Sequence, residues 1–394
     1  MEIKRENYLT SYINRIQYAV YHLYIIRMDG NGDKMSATNI QIRPFARLTA
    51  SQTEYAALNR FSNQIRHERL PDDPPIPLEE NIQHLQNIPP FIDLKLWAAW
   101  NPDQSEIIGS GNVLFYQLEE NKHLAPFEIS ILPEYRQRGL GRQFLRLIAE
   151  TTMKENRRLL ITDTVDRVPA GEAFMTRIGA EKGLETHTNQ LRITELDTGL
   201  IANWLNRYQE NITEFELGFW NGAYPEEKIQ DIAVLYELTN QQPIGNLEIE
   251  DMHMTPEHLR QMEKNTFARG NQRWTFYVID RTTGKFAGYT ETVWNPNRPE
   301  LLRQDMTGVF PQFRNKGLGR WLKASMLDKV LMERPQVKYV RTGNADTNAS
   351  MLKINNELGF KPYTAEILWQ VDLNKVRDYI QTSAHKNGED NPYA

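Results

Sequence analysis

The sequence predicts a mixed α/β protein built from two consecutive copies of one domain, and three observations carry that expectation. A seven-residue string recurs: Arg136 to Arg142 reads RQRGLGR and Arg314 to Arg320 reads RNKGLGR, with Gly139 and Gly317 178 residues apart (317 − 139). The spacing holds on either side, because Gly109 and Gly288 are 179 apart (288 − 109) and Gly179 and Gly359 are 180 apart (359 − 179). Each copy also shows the same order of strand-period and helix-period segments. A period this long marks duplicated domains, each large enough to fold alone.

The elements follow in order. Ile40–Phe45 reads as a strand, followed by helices over Ser51–Glu68 and near Leu78–Gln86. Strands Lys95–Trp100 and Glu106–Tyr116 come next, the second passing through Gly109 and Gly111. Phe127–Ile131 is a strand that empties into the first glycine turn, and Leu140, Phe144, Leu147 and Ile148 then recur at helical spacing. Strand Leu159–Val165 and a helix from Gly171 to Ile178, stopped by Gly179, complete the first copy. The second copy repeats this with strand Gln304–Val309, its glycine turn, helix Leu318–Leu331, strand Val337–Arg341, helix Ala349–Leu358 and a last strand Ile367–Leu373. Domain boundaries are therefore expected at 35–195 and 211–382, joined by a helix over 196–210, with a polar, disordered tail over 383–394. Residues 1–34 read as an extension, since Gly32-Asp33-Lys34 can be encoded by a ribosome-binding sequence just before Met35, which would then start translation.

Bulk properties narrow the function. The 394 residues include 40% hydrophobic and 25% charged side chains, enough for ordinary cores. The formal net charge of −5 lacks the basic excess of a phosphate-reading nucleic-acid binder. With no cysteine, thiolate metal sites and an enzyme thioester are excluded. No apolar run reaches bilayer length; Ala19–Met28 is short and broken by His22 and Arg27. With no secretory cleavage pattern, a cytoplasmic location follows by elimination. Met252-His253-Met254 with His258 lacks the carboxylate framework of a metal site and reads as a loop before a helix.

In both copies an apolar strand runs into R-x-x-G-L-G-R and then a helix. Glycine allows close backbone approach, and the amides at the helix start point at whatever lies beyond it, helped by the helix dipole. Such a turn suits a phosphate. It is not a P-loop, since Lys-Ser/Thr is missing, nor a G-x-G-x-x-G dinucleotide turn.

On these residues, with Leu358-Gly359-Phe360 closing the last helix of the second copy and Ile178-Gly179-Ala180 that of the first, the chain resembles the GCN5-related N-acetyltransferase (GNAT) superfamily in its tandem form, and its architecture is similar to mycothiol synthase. The resemblance covers about Ile40 to Leu373. It implies acetyl-coenzyme A as co-substrate and a small-molecule amine as acceptor, with acetyl passing directly between them. It further implies that the fourth and fifth strands splay so that pantetheine slots between them. On that basis Ile131, Leu132, Arg136, Gln137, Arg138, Gly139, Leu140, Gly141 and Arg142 would hold the coenzyme in the first copy. Val309, Phe310, Arg314, Asn315, Lys316, Gly317, Leu318, Gly319 and Arg320 would do so in the second, with Asn344 and Asn348 on pantetheine amides. Many relatives carry a Tyr four residues before the helix-closing Gly as the thiolate's acid; here Met175 and Asn355 stand there. Tyr289 or Tyr363 could substitute, or coenzyme A could leave as the thiolate.

The second copy holds the denser polar set and is expected to be the active one, with Asp305 or Glu291 as base. In the first copy Glu128, Asp163 and Asp166 are weaker candidates. Two rival readings stand beside this one: a catalytically silent acyl-coenzyme A sensor, and an acetyltransferase for protein N-termini or lysines.

Overall fold

The computed structural model describes residues 40–211 and 213–387. The expected extension over 1–34 and the Met35 start lie outside the described residues, as does 388–394 of the expected tail. The first half forms β1 (Gln41–Pro44), α1 (Gln52–Arg69), α2 (Leu78–Gln86), β2 (Ile92–Trp100), β3 (Ile107–Tyr116), β4 (Leu124–Ile131), α3 (Leu140–Lys154), β5 (Leu159–Val165), α4 (Pro169–Arg177) and β6 (Glu181–Arg192). After α5 (Thr198–Asn211) come β7 (Phe215–Asn221), α6 (Ile229–Tyr236), α7 (Pro256–Ala268), β8 (Gln272–Asp280), β9 (Phe286–Trp294), β10 (Leu301–Val309), α8 (Leu318–Glu333), β11 (Tyr339–Ala345), α9 (Ala349–Glu357), β12 (Lys361–Asp372) and α10 (Leu373–Asn387). Local chemistry sets several of these starts. Ser51 and Glu54 exchange side-chain and backbone bonds in a capping box that opens α1. Thr255 and His258 open α7 in the same way, which gives His258 a capping role. Helix α10 runs past Ser383, where the sequence reading begins a polar tail.

The chain forms two compact units. The N-terminal unit covers 40–184 with Asn246–Glu250 and the chain from Glu366; the C-terminal unit covers Glu185–Gly245 and Asp251–Ala365. A linear reading of the sequence places β6 in the first domain and β12 in the second. The compact units trade them. In the N-terminal unit the strand order is β1-β2-β3-β4-β5-β12, with residues Glu366–Asp372 of β12 antiparallel to β5. In the C-terminal unit it is β7-β8-β9-β10-β11-β6, with Arg192–Thr186 antiparallel to β11.

Each sheet has one parallel pair, joined by a helical crossover as parallel strands require. The pairing is short. β4 meets β5 only at Leu124–Leu159, Ala125–Leu160 and Pro126–Ile161, and β10 meets β11 only at Leu301–Tyr339, Leu302–Val340 and Arg303–Arg341. Pro126 has no N–H to continue its ladder. In β10 a bulge between Gln304 and Thr307 turns the strand away. Beyond those points the strands diverge and leave a gap in each unit. Helices pack on the sheets through apolar faces, as Phe144 and Leu145 of α3 do in the first unit and Leu318, Leu322 and Met326 of α8 in the second. Phe144 lies so close to β3 that a Cβ on Gly111 would come within 2.6 Å of it, which explains that glycine. Among the described residues no helix is long and apolar enough to cross a membrane.

The exchanged strand and the helix α10 that follows it are integral to the N-terminal core, where Trp369, Val371, Val376 and Ile380 are all buried. Full burial of each is worth about 1.5–3 kcal/mol, comparable in sum with the roughly 5–15 kcal/mol that holds a domain folded. Ending the chain after Ala365 is therefore expected to abolish cooperative unfolding of the N-terminal unit while the C-terminal unit keeps its own. Thermal melts followed by limited proteolysis check this; a resistant N-terminal fragment in the shortened chain would contradict the exchange.

Candidate functional site

Each glycine turn uses two left-handed residues. Gln137 and Gly139 have φ of 60° and 85°, and Asn315 and Gly317 have φ of 63° and 82°. This conformation turns successive amides to one side, a concave arrangement that suits an anion. The amides of Gly139, Leu140 and Gly141, and those of Gly317, Leu318 and Gly319, have no acceptor among the described residues. The second glycine of each turn faces a neighbouring helix: a Cβ on Gly141 would meet Phe174 of α4 at 3.5 Å, an ordinary contact, and one on Gly319 would meet Ile354 of α9 at a tighter 3.3 Å.

The leading arginines hold the turns instead of projecting from them. Arg136 Nε donates to the Ile131 carbonyl (2.9 Å) and its guanidinium pairs with Glu68. Arg314 Nε donates to the Val309 carbonyl (3.0 Å) and Nη2 to Gln241. Lys316 is bonded to Glu214 at 2.9 Å and Arg320 is bidentate on Glu357, both N–O distances being 2.8 Å. Arg138 lies over the Tyr135 ring, and Arg142 lines the N-terminal cleft. Arg136, Arg314, Lys316 and Arg320 are thus engaged with protein groups, which leaves the turn amides as the open donors.

Backbone donors in each unit face the gap. Leu132 N–H is taken by Ile108 O at 3.0 Å and Phe310 N–H by Ala287 O at 2.9 Å, so neither is available. Amide directions alternate along a strand. Ile131 and Val309 therefore turn their N–H groups into the gaps, while their carbonyls are held by Arg136 and Arg314.

The two gaps differ in what fills them. In the N-terminal unit a cleft of about 310 Å³ is lined by Ser130 and Ile131, by Thr162–Val165, by the turn at Gly139 and by Phe174. Its inner end carries Arg69, bonded to Asp163 (3.0 Å) and 3.7 Å from Glu128. In the C-terminal unit the protein's own side chains reach in. Gln242 bridges the gap, donating to Met306 Sδ (3.5 Å) and accepting from Asn348 Nδ2 (3.1 Å). Asn348 also caps α9 through Met351 N–H. The Tyr208 hydroxyl lies 2.0 Å from where a Gly317 Cβ would stand. The turn nevertheless opens on a groove of about 1050 Å³ lined by Trp204, Tyr208, Phe215 and Lys316.

Neither expected base is poised for proton abstraction. Asp305 is gripped by Arg303 through both carboxylate oxygens (2.6 and 3.1 Å), so both of its acceptor atoms are already engaged. Glu291 is 3% exposed and accepts from the Tyr224 hydroxyl and Thr275, with Arg273 at 3.6 Å. It belongs to a buried ion-pair cluster with Glu263 and carries structure. Tyr289 is buried against Tyr236, and Tyr363 stacks beneath Arg341 at 4.0 Å, so both have packing roles. In the N-terminal unit Glu128 accepts from Ser130 at 2.9 Å.

Two features escape sequence reasoning. His187, on the exchanged part of β6, places Nδ1 2.6 Å from Asp346 and sits directly opposite Asn344 in the strand register. Directly opposed residues share a sheet face. The second feature is Lys323 of α8, 1% exposed, which donates to Asn355 Oδ1 (2.6 Å), whose Nδ2 donates in turn to Asn344 Oδ1 (2.6 Å). Burial lowers the Lys323 pKa to about 7. Overlaying the two copies of the sequence could have exposed it, because the matching residues of the N-terminal unit are Leu145, Met175 and Thr164.

An unfolded lysine stays protonated to about pH 10.5, so between pH 7 and that value folding releases a proton. Stability from this group is therefore greatest above the unfolded pKa, declines as pH falls and levels off below about 7. Replacing Lys323→Leu together with Asn355→Met, the residues of the sister unit, is expected to raise stability at pH 7. It should also remove up to about 1.4 kcal/mol per pH unit of alkaline slope. Urea unfolding at pH 7 and 9 measures this; an unchanged slope would contradict it.

No family profile and no curated protein matches the sequence. Solved structures do match. A tandem GNAT protein from the clavulanic acid biosynthesis pathway aligns with TM-score 0.66 and 21% identity over 85% of this chain and 98% of that one. A GCN5-related N-acetyltransferase from Sphaerobacter thermophilus aligns with TM-score 0.58 and 12% identity over 86% and 97%. With two split parallel pairs and two glycine turns in one polypeptide, the chain has the tandem GNAT acetyltransferase fold.

Proposed function

We propose that the protein is an acetyl-coenzyme A-dependent N-acetyltransferase for the primary amine of a small molecule, with the chemistry in the C-terminal unit and the N-terminal unit as an acyl-coenzyme A holder. The observation that carries this is the Val309 amide turned into a strand gap beside a glycine turn suited to an anion, with a polar face at the same level. The bound co-substrate supplies an activated acyl thioester. The turn amides from Gly317 to Gly319 suit its diphosphate. Val309 N–H suits the carbonyl oxygen and the negative charge that grows there during attack. His187, held by Asp346 through Nδ1, offers Nε2 to the proton of the attacking amine. Tyr208 and Gln242 would swing aside, a rotamer change that leaves the backbone in place.

A binding role for the N-terminal unit follows from its open cleft and from Leu145 and Met175, which supply no polar group behind Thr164. The protein's acidic balance favours a cationic acceptor.

Calorimetry and a thiol-release assay over a panel of amines test this with Gly139→Arg and Gly317→Arg. Wild type is expected to bind two equivalents of acetyl-coenzyme A, and each variant one. Only Gly317→Arg should abolish thiol release. Loss confined to Gly139→Arg would move the chemistry to the N-terminal unit, and tight binding with no turnover on any amine would favour a sensor.

A further inference from the structure

The duplicated fold supplies its own control. Five positions around the carboxyl end of β11 can be compared with their counterparts around β5. Lys323, Asn355, Asn344, His187 and Asp346 in the C-terminal unit match Leu145, Met175, Thr164, Ile367 and Asp166 in the N-terminal unit, where Ile367 lies opposite Thr164 just as His187 lies opposite Asn344. The fold therefore does not need the lysine, the two asparagines or the histidine. A lysine buried without a carboxylate costs stability unless it is neutral. The Lys323 ammonium donates to Asn355 from α9 and lies 5.2 Å from the Phe360 ring, and the titratable groups at the far end of the chain are His187 and Asp346. Costly buried polar groups that the fold does not require concentrate at functional sites.

The direction of the chain is set at its root. An ammonium can only donate, so Asn355 must present its oxygen to Lys323 and its NH₂ to Asn344, which leaves Asn344 with its own NH₂ to offer. Asn344 lies on the part of β11 that has parted from β10, and its counterpart Thr164 lines the N-terminal cleft. Aligned donors polarise one another, so positive charge at Lys323 strengthens the last N–H of the series.

Resting on the proposed chemistry of the C-terminal unit, we infer that Asn344 donates this N–H to the departing sulfur, and that Asn355 and Lys323 are positioning residues that orient and polarise it. In the step concerned, the amine nitrogen bonds to the acyl carbon and the carbon–sulfur bond breaks. The sulfur keeps the electron pair and leaves as a thiolate held by Asn344, and the amine proton passes to His187 Nε2. No separate acid is required, which fits the packing roles of Tyr289 and Tyr363. Protonated Lys323 is the effective form, so turnover falls as pH rises through about 7, where burial has set its titration.

The test uses the full-length Lys323→Leu/Asn355→Met variant, whose folding is checked by its melt, with kcat and KM for acetyl-coenzyme A measured from pH 6 to 9. The expected result is a kcat lower by about 10- to 100-fold at pH 6 and KM changed by less than about threefold, a split that marks a transition-state effect. The decline of kcat above neutrality should be absent from the variant, and Asn344→Ala added to it should cost nothing further. A variant that keeps wild-type kcat, or keeps the alkaline decline with a uniformly lowered rate, would overturn the inference. Full activity in Gly317→Arg would instead show that the C-terminal unit is not where transfer occurs, a separate failure.

Discussion

Everything distinctive in this protein depends on two parallel strands that pair for three residues and then part. A sheet that continued would satisfy its backbone internally and offer nothing to a ligand. Because β10 turns at its bulge and β4 at Pro126, Val309 and Ile131 are left with amides facing the gap between strands. Arg314 and Arg136 then bind the carbonyls of these same residues, so the exposed edge presents a donor and hides its acceptor. That is the task the leading arginines of the two repeated strings perform.

The two units solve the same structural problem with different interiors. The N-terminal one is apolar behind its cleft and open in front. The C-terminal one spends stability on a buried lysine and two asparagines, and covers its gap with Gln242 and its turn with Tyr208. That contrast separates what the fold demands from what a function demands, because each copy shows what the other can do without.

Much of this was legible in the residues. The glycine turns with their flanking strand and helix follow from spacing alone, since Gly139 and Gly317 need a left-handed backbone that few other residues adopt, whereas β6, β7, α6 and α7 carry no such mark. The splay followed from the family resemblance. What was hidden is what depends on distant pairing. Nothing local in β6 announces that its residues from Glu185 onward complete the other unit, so His187 was passed over. Asp305 and Glu291 looked available because their neutralising partners, Arg303 two residues away and Arg273 on the adjoining strand, are recognised only once side-chain directions are known. Lys323 sits on a helical face that spacing reads as apolar.

The most direct measurement is a crystal structure of the protein with acetyl-coenzyme A. The account predicts the acyl carbonyl oxygen within hydrogen-bonding distance of Val309 N–H in the C-terminal gap, with Gln242 and Tyr208 withdrawn and the diphosphate on the amides that follow Asn315. A coenzyme found only in the N-terminal cleft at saturating concentration, with Gln242 still bridging Met306 and Asn348, would contradict it.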